Sequence, residues 1–216
     1  MEIRDRLMQA ALRVFEEAGS RGATTRRIAD VAGVNEVTLF RHFGSKAALL
    51  HEALREAARA NLVSGLPDEP ADPQEELTRW CRTHLAHLRR SRSMIRTCMG
   101  EFEQAPELAT CAGSTPARVA DELQGYLARL RDRGMAAPDL DVSAAAAMLM
   151  GALFTDAMGR DIMPDRYDYS PEEAPERYVA LFLRTIGAHG SGDPSRAPGR
   201  QVASPSAGRT TPVSST

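Results

Sequence analysis

The sequence predicts an all-α protein, and three observations lead to that prediction. Aromatic residues make up only 5% of the 216 residues, whereas Ala, Leu and Arg recur throughout, a composition that favours helix over sheet. Apolar residues recur three and four positions apart in successive segments, which is the spacing of one helix face. Gly, Pro and small polar residues separate those segments, where helices end and begin.

The first expected helix has a single apolar stripe along one side. The stripe consists of Ile3, Leu7, Ala11, Val14 and Phe15. The segment from Gly19 to Gly22 is expected to end this helix because glycine is a poor helix former.

Three short helices are expected next, each opened by a residue that can cap it. Thr25 is expected to cap the second helix, and Gly33 to end it in a left-handed conformation. Asn35 is expected to cap the third helix and Ser45 the fourth. The expected core anchors of the third helix are Leu39, Phe40 and Phe43.

The second half of the chain predicts a further set of helices. The segment 64–73 contains three prolines and is expected to be a loop, and Asp72 followed by Pro73 restarts a helix. Asp141 and Ser170 are further expected caps. Helical patterns then extend roughly over 92–105, 115–134, 141–160 and 172–188.

Composition divides the chain into three expected units, 1–50, 51–189 and 190–216. The last unit is expected to be a disordered tail, because 17 of its 27 residues are Pro, Gly, Ser or Thr. Net charge is −2 overall, but residues 1–50 carry eight basic and six acidic side chains, a balance of +2. The remainder of the chain carries −4 in total, so the N-terminal unit has the sign that suits phosphate.

Several functional classes are not expected from the sequence. No window approaches 18 uninterrupted apolar residues and the N-terminus lacks a signal-peptide core, so the protein is expected to be cytosolic, without membrane contact. Neither a P-loop, a glycine-rich dinucleotide turn, HExxH nor G-x-S-x-G occurs, so neither an enzyme nor a cofactor is expected.

A metal site is not expected either, although Cys81, His84 and His87 fall within seven residues. On a helix, Cys81 and His87 point about 120° apart, so the three side chains cannot converge on one ion. The three cysteines of the chain, an odd number without CxxC, are expected to be reduced thiols.

The N-terminal unit contains a run of residues that resembles a known family. FEEAG, TTRRIADVAGV, TLFRHF and SKAALL, in that order, cover roughly residues 7–54 and resemble the N-terminal domain of the TetR/AcrR family of bacterial transcriptional regulators. The resemblance implies a three-helix helix-turn-helix DNA-binding domain followed by a helical bundle for ligand binding and dimerisation. It implies a regulator, a repressor by preference, that binds a palindromic operator in double-stranded DNA as a homodimer.

Two alternatives to a repressor stay open at this point. One is a transcriptional activator of the same family. The other is a helical small-molecule sensor without sequence-specific DNA binding.

The resemblance assigns individual residues to DNA contacts. Those expected to hold phosphates are Thr25, Thr38, Phe40, His42 and Lys46. Those expected to reach bases are Arg26, Glu36 and Val37. Lys46, the only lysine in the chain, directly follows the Ser45 cap, where a helix N-terminus attracts anions.

Some of these side chains limit what the contact can be. Phe40 stands where the family commonly has Tyr, so it has no hydroxyl to donate to a phosphate. Glu36 has only acceptors and would take a hydrogen bond from cytosine N4, while Val37 would pack on a thymine methyl. Two alternatives stay open. In one, Glu36 contacts no base and only stabilises the N-terminus of its helix. In the other, Arg27 is a solvated charge and not a residue that reads bases.

The bundle is expected to supply a dimer interface and a pocket. Ala144 to Gly159, rich in small residues, is the expected interface helix. The last helix is expected to contribute Tyr178, Leu181, Phe182, Thr185 and Ile186. An unknown, apolar small-molecule effector is expected in a pocket lined by Trp80, Met94, Cys98, Phe102, Met148 and Phe154.

Overall fold

A computed structural model describes residues 2–60, 65–101 and 106–188, with the backbone alone described at 58–60 and 106–115. These residues form an all-helical fold, which confirms the predicted fold class. The helices are α1 (Ile3–Gly22), α2 (Thr25–Ala32), α3 (Glu36–Phe43), α4 (Lys46–Ala60), α5 (Pro73–Arg90), α6 (Arg92–Glu101), α7 (Pro106–Asp132), α8 (Val142–Gly159) and α9 (Ala174–Thr185), with a 3-10 turn at Pro164–Arg166. The expected tail and Phe102 lie outside the described residues.

We call α1, α2, α3 and the first half of α4, residues 3–54, the headpiece. Its buried core contains Leu7, Ala10, Ala11, Val14, Phe15, Ala23, Ile28, Ala32, Leu39, Leu49, Leu50, Ala53, Leu54 and Cys98. Helix α1 packs against α2, α4 and α6. Its helical backbone breaks at Gly19 (φ 65°), within the predicted terminus. Ile3, expected in the apolar stripe, is 39% exposed because it lies in the first turn of α1, beyond the core.

We call α5 to α9 the bundle. Helix α5 packs against α8 and α9, while α7 packs against α4 and α8. Asp72 caps α5 through Glu75 N at 3.0 Å, with Pro73 in the first turn, as predicted. Helix α7 begins at Pro106, earlier than the expected residue 115, because proline is favoured in a first turn and Pro116 is accommodated inside the helix.

A buried carboxylate ties the bundle helices together. Asp156 of α8 is fully buried. Its Oδ1 accepts a hydrogen bond from Arg89 Nη2 of α5 at 2.8 Å, and its Oδ2 accepts from Arg160 Nη2 at 2.5 Å and from the Tyr178 hydroxyl of α9 at 2.8 Å. Burial alone would raise the pKa of Asp156, but these three hydrogen bonds lower it. The carboxylate therefore stays ionised and holds α5, α8 and α9 in register.

Helix α8 has the length and composition of a membrane span. Its 18 residues have a mean hydropathy of 1.4, and one third of them are buried. Asp141 caps the helix through Ala144 N at 2.9 Å, as predicted. Apolar helices of soluble proteins meet the same criteria of length and composition, so these two properties alone do not make α8 a membrane span.

Candidate nucleic-acid interface

The N-cap of helix α2 lies one residue earlier than predicted. Thr24, not Thr25, is the N-cap, and its hydroxyl accepts a hydrogen bond from Arg27 N at 3.2 Å. Thr25 is the first helical residue, and its hydroxyl donates instead to Glu36 Oε2 at 2.6 Å. This contact joins the first residues of α2 and α3, so Arg26 and Val37, the next residues of the two helices, lie at the same end of the motif.

The turn between α2 and α3 has the predicted geometry. Gly33 has φ 66° and ψ 40°, a left-handed conformation that glycine adopts without steric cost. Asn35 caps α3, because its Oδ1 accepts hydrogen bonds from Thr38 N and from the Thr38 hydroxyl, both at 2.8 Å. The predicted stop and cap are confirmed.

Helix α3 presents an apolar, exposed surface near its start and middle. Val37 is 74% exposed and Phe40 47% exposed, whereas Leu39 is fully buried. Phe43 is half-buried against the headpiece core. The expectation that Phe40 points toward the core is wrong, because Leu39 and Phe43, four residues apart, share the buried face and Phe40 is rotated about 100° from Leu39.

Lys46 and His42 lie near the end of α3, and both are half-buried. Lys46 Nζ donates to the backbone oxygen of Ser20 in α1 at 2.8 Å. An ammonium group has three donors, so two remain for a phosphate. His42 Nε2 is buried and has no hydrogen-bond partner within the described part of the chain. Ser45 caps α4 through Ala48 N at 3.0 Å, as predicted.

The exposed arginines of the motif differ in their contacts. Arg26 and Arg41 are exposed, as is Arg27, whose Nη2 forms an ion pair with Glu17 Oε2 at 2.8 Å. Arg27 is therefore already paired within the headpiece. Arg26 stands beside Thr25 with its side chain open to solvent, which suits a contact to DNA.

Of the six residues expected to line one pocket, Phe102 lies outside the described residues, and the other five do not form one cluster. Trp80 is buried in the bundle core, whereas Met94 and Cys98 of α6 pack against the headpiece core. Met148 and Phe154 are 59% and 37% exposed on the outside of α8. The expectation was wrong for these two because the apolar residues of α8 surround the helix, so sequence periodicity could not distinguish its inner face from its outer face.

Met148 and Phe154 belong instead to an exposed apolar surface on α8 and α9. The exposed apolar residues and glycine on α8 are Ala144, Ala147, Met148, Gly151 and Phe154, and Ser143 and Thr155 are exposed as well. Leu181 of α9 is 59% exposed, and Thr185 is also exposed. Phe182 and Ile186, expected in the interface, are buried because their side chains belong to the bundle core.

Cys81 and His84 lie inside the bundle. Burial raises the pKa of the Cys81 thiol to about 12 and lowers the pKa of His84, whose Nδ1 lies 2.9 Å from the Trp80 backbone oxygen. Both groups are therefore neutral near pH 7. Within residues 2–57, 65–101 and 116–188, no three His, Cys, Asp or Glu side chains are placed to hold a metal ion.

Comparison with known proteins finds two family models that match successive parts of the chain. A family model described as bacterial regulatory proteins of the tetR family matches residues 7–53, and one described as the AefR-like transcriptional repressor C-terminal domain matches residues 75–188. The chain is 27% identical over 184 residues to the uncharacterized HTH-type transcriptional regulator YvkB of Bacillus subtilis, covering 85% of this chain and 96% of that protein.

Two solved structures share the fold. One is the TetR family transcriptional regulator PfmR of Thermus thermophilus, with a TM-score of 0.63 and 26% identity, covering 83% of this chain and 98% of that chain. The other is the transcriptional regulator FadR of Bacillus subtilis in complex with stearoyl-CoA, with a TM-score of 0.64 and 21% identity, covering 86% of this chain and 99% of that chain.

Proposed function

The chain belongs to the TetR family of bacterial transcriptional regulators, and we propose that it represses transcription by binding a palindromic operator as a homodimer. It is a DNA-binding regulator rather than an enzyme. In the proposal, residues 1–50 form the DNA-binding domain and residues 51–189 the ligand-binding and dimerisation domain. The observation that carries the proposal is the exposed start of α3, with Val37 open to solvent beside Arg26.

The proposed DNA contacts fall into two groups. Thr25, Thr38, His42 and Lys46 hold phosphates, with Phe40 packing beside the backbone; Arg26, Glu36 and Val37 reach bases. Phosphate contacts set the register, and base contacts select the sequence. The Thr25 hydroxyl has one proton, which Glu36 accepts in the structure, so a phosphate at Thr25 would release the Glu36 carboxylate toward a base.

The proposed dimer uses the exposed apolar surface of α8 and α9. A single headpiece covers one half-site, and two half-sites lie about 34–36 Å apart in an operator of this kind. Small residues at Ala144, Ala147 and Gly151 permit close approach of a second α8. Met148, Phe154 and Leu181 supply apolar area that association would remove from water.

The effector is proposed to be apolar and to bind in the C-terminal domain. Support comes from the shared fold with FadR, whose structure holds stearoyl-CoA. Trp80, Met94, Cys98 and Phe102 remain the candidate contacts. Because α6 has side chains in the headpiece core, a ligand that displaced α6 would change the placement of α1.

The DNA-binding proposal is tested by selecting duplexes from a random library with the full chain. A repressor selects a palindrome, and its affinity falls with salt. Lys46→Ala should reduce the slope of log affinity against log salt by about one unit, equally for selected and scrambled duplexes. Arg133→Ala, which removes a cation that follows α7 and pairs with Glu69, is the control and should leave the slope unchanged. Failure to select any sequence would favour the sensor without DNA binding.

A reporter driven by the selected duplex distinguishes repressor from activator. Expression should fall when the wild-type chain is produced and recover when it is removed. Increased expression would overturn repression and leave sequence-specific binding intact.

The dimer is tested by placing charge in the proposed interface. Met148→Glu combined with Leu181→Glu should convert the dimer to a monomer in sedimentation and abolish the cooperative occupation of two half-sites. Ile162→Glu is the matched control, because Ile162 is equally apolar and 66% exposed but lies outside α8 and α9. A double variant that remains dimeric would place the interface elsewhere.

A further inference from the structure

The carboxyl ends of α1, α2 and α3 are each contacted by a cation from another helix. The last carbonyl groups of a helix lack partners within it, and they carry the negative end of the helix dipole. Lys46 contacts Ser20 near the end of α1, as described above. Arg4 and Arg6, both in the first turn of α1, contact the ends of α3 and α2.

Arg4 joins three helices of the headpiece. Its Nη1 donates to the backbone oxygen of His42 in α3 at 3.4 Å, and its guanidinium lies over the Phe43 ring, 4.6 Å from the centroid. Its Nη2 forms an ion pair with Glu52 of α4. One side chain therefore holds the end of α3 against α1 and α4.

Arg6 holds the carboxyl end of α2 against α1. Its Nη2 donates to the backbone oxygens of Ala32 and of Gly33, the latter at 3.2 Å. The approach is close enough that a Cβ atom on Gly33 would lie 2.9 Å from Arg6 Nη2. The position of the turn between α2 and α3 is therefore coupled to Arg6.

These contacts matter because α3 has little core of its own. Leu39 is the only one of its eight residues that is fully buried. A helix held by one buried side chain can rock about that anchor, so its direction depends on contacts at its two ends. Asn35 and the Thr25–Glu36 hydrogen bond act at the first end, and Arg4 acts at the second.

We propose that Arg4 and Arg6 are positioning residues for DNA recognition, which orient α3 and α2 by holding their carboxyl ends and do not contact DNA themselves. This inference rests on the proposed function, because it concerns the geometry with which the motif meets base edges. A misdirected α3 loses base contacts, which need correct geometry, whereas it keeps most of the electrostatic attraction to phosphates.

The test compares Arg4→Met and Arg6→Met with wild type in the full chain. The probes are a duplex that wild type selects from a random library and a scrambled duplex of the same composition. Each variant should bind the selected duplex about tenfold more weakly, a loss of about 1.4 kcal/mol. Binding to the scrambled duplex should change by less than about twofold, and the salt slope should stay the same.

Two controls separate positioning from loss of charge or of fold. Arg13→Met removes a cation from the same helix. Among the described residues its only ion pair is with Glu17, and its side chain is 73% exposed, so this variant should leave both affinities unchanged. Glu52→Gln removes only the ion pair of Arg4 and should cause a smaller loss in the same direction. It stays informative if Arg4→Met fails to fold.

The outcomes are distinct. Equal weakening on both duplexes with a salt slope lower by about one unit would make the arginine a phosphate contact and overturn the inference. Unchanged selectivity in both Arg4→Met and Arg6→Met would also overturn it. If Arg4→Met is unfolded, unchanged selectivity in Glu52→Gln would overturn it instead. If wild type selects no sequence at all, the proposed function fails, and the inference fails with it.

Discussion

The headpiece and the bundle differ in where their polar side chains form contacts. In the described part of the chain, the buried polar or charged side chains are Glu76, Thr78, His84 and Asp156, and all four lie in the bundle. The headpiece core is entirely apolar, and its polar contacts are made at helix ends near the surface. The bundle therefore depends on buried hydrogen bonds, whereas the headpiece depends on apolar packing and on end contacts.

Glu76 is a second buried carboxylate of the bundle, and hydrogen bonds from other parts of the chain hold it as they hold Asp156. Glu76 Oε2 accepts a hydrogen bond from the Tyr126 hydroxyl at 2.6 Å, and its Oε1 accepts from Ala71 N and Asp72 N at 3.0 and 3.1 Å. Burial alone would raise the pKa of Glu76, but the bond from Tyr126 and the two backbone bonds lower it. Glu76 thus joins α5, α7 and the preceding loop.

The difference has a physical consequence for each region. A buried polar group costs free energy whenever its partner is lost, so the bundle should be sensitive to single changes far from any DNA contact. End contacts in the headpiece are half-exposed, and water replaces them at little cost. Changes in the headpiece should therefore affect recognition more than stability.

The largest expected effect is that of Asp156→Ala. The substitution leaves the Arg89 and Arg160 guanidinium groups, 23% and 14% exposed, without their shared acceptor. Loss of one partner from a buried ion pair typically costs about 3–5 kcal/mol, and the partial exposure of both arginines points to about 3 kcal/mol here. Urea unfolding at constant protein concentration measures it.

Asp168→Ala is the control for that experiment. The Asp168 side chain is 90% exposed, so its removal should change the free energy of unfolding by less than about 0.5 kcal/mol. A similar small effect of Asp156→Ala would contradict the view that the bundle depends on its buried carboxylates.

The next largest effect is expected for Tyr126→Phe. Tyr126 is fully buried, and its hydroxyl is the partner of a carboxylate, so its loss should destabilise the protein by about 2 kcal/mol. Tyr167→Phe removes a hydroxyl whose bond to the Thr155 backbone oxygen is long, at 3.4 Å, and exposed, and should have little effect. Equal denaturation midpoints for Tyr126→Phe and wild type would show that Glu76 is satisfied without it.

Gly33→Ala should have a smaller effect on stability and a clear one on DNA binding. Alanine in the left-handed conformation costs about 1–2 kcal/mol, and its Cβ would also displace Arg6. Gly44→Ala is a matched control: Gly44 also has a positive φ, of 73°, but a Cβ there would meet nothing within 4 Å.

The difference between the two variants isolates the contact with Arg6. Both should lower the melting temperature, but Gly33→Ala should lower the affinity for the selected duplex more. Identical affinities for the two variants would argue against a role for Arg6 in positioning the turn.

The headpiece was predictable from sequence because its rules are local. The Gly33 stop and the Asn35 and Ser45 caps follow from residues within three positions of each helix end. The errors came where a side chain could serve two roles. Thr24 and Thr25 are adjacent and both can cap, and Phe40 is as apolar as the two core residues beside it.

The bundle was predictable only as a set of helices. Arg160 is four residues after Asp156, but its other partners, Arg89 and Tyr178, are 67 residues before it and 22 after it. Tyr126 lies 50 residues from Glu76, so no local pattern shows these distant pairs. Helix α8 is apolar on all sides, so the sequence did not indicate which of its residues are exposed. For this reason Met148 and Phe154 were expected in a pocket, whereas they are exposed. Arg4 and Arg6 were missed because an arginine at a helix start looks the same in the sequence whether it is solvated or half-buried against another helix.

The smallest expected effect concerns the headpiece surface alone and is the gain from Phe40→Tyr. Phe40 is half-exposed, so a hydroxyl can be added at its ring edge without entering the core. If the ring packs beside a phosphate, the new donor should strengthen binding of the selected duplex by up to about 1 kcal/mol, a typical net hydrogen bond, with sequence preference and melting temperature unchanged. Phe40→Leu, which removes the ring and adds no donor, should give no gain. Weaker binding by Phe40→Tyr than by wild type in a titration would mean that Phe40 faces something other than a phosphate, and the assignment of that face of α3 to the DNA backbone would fail.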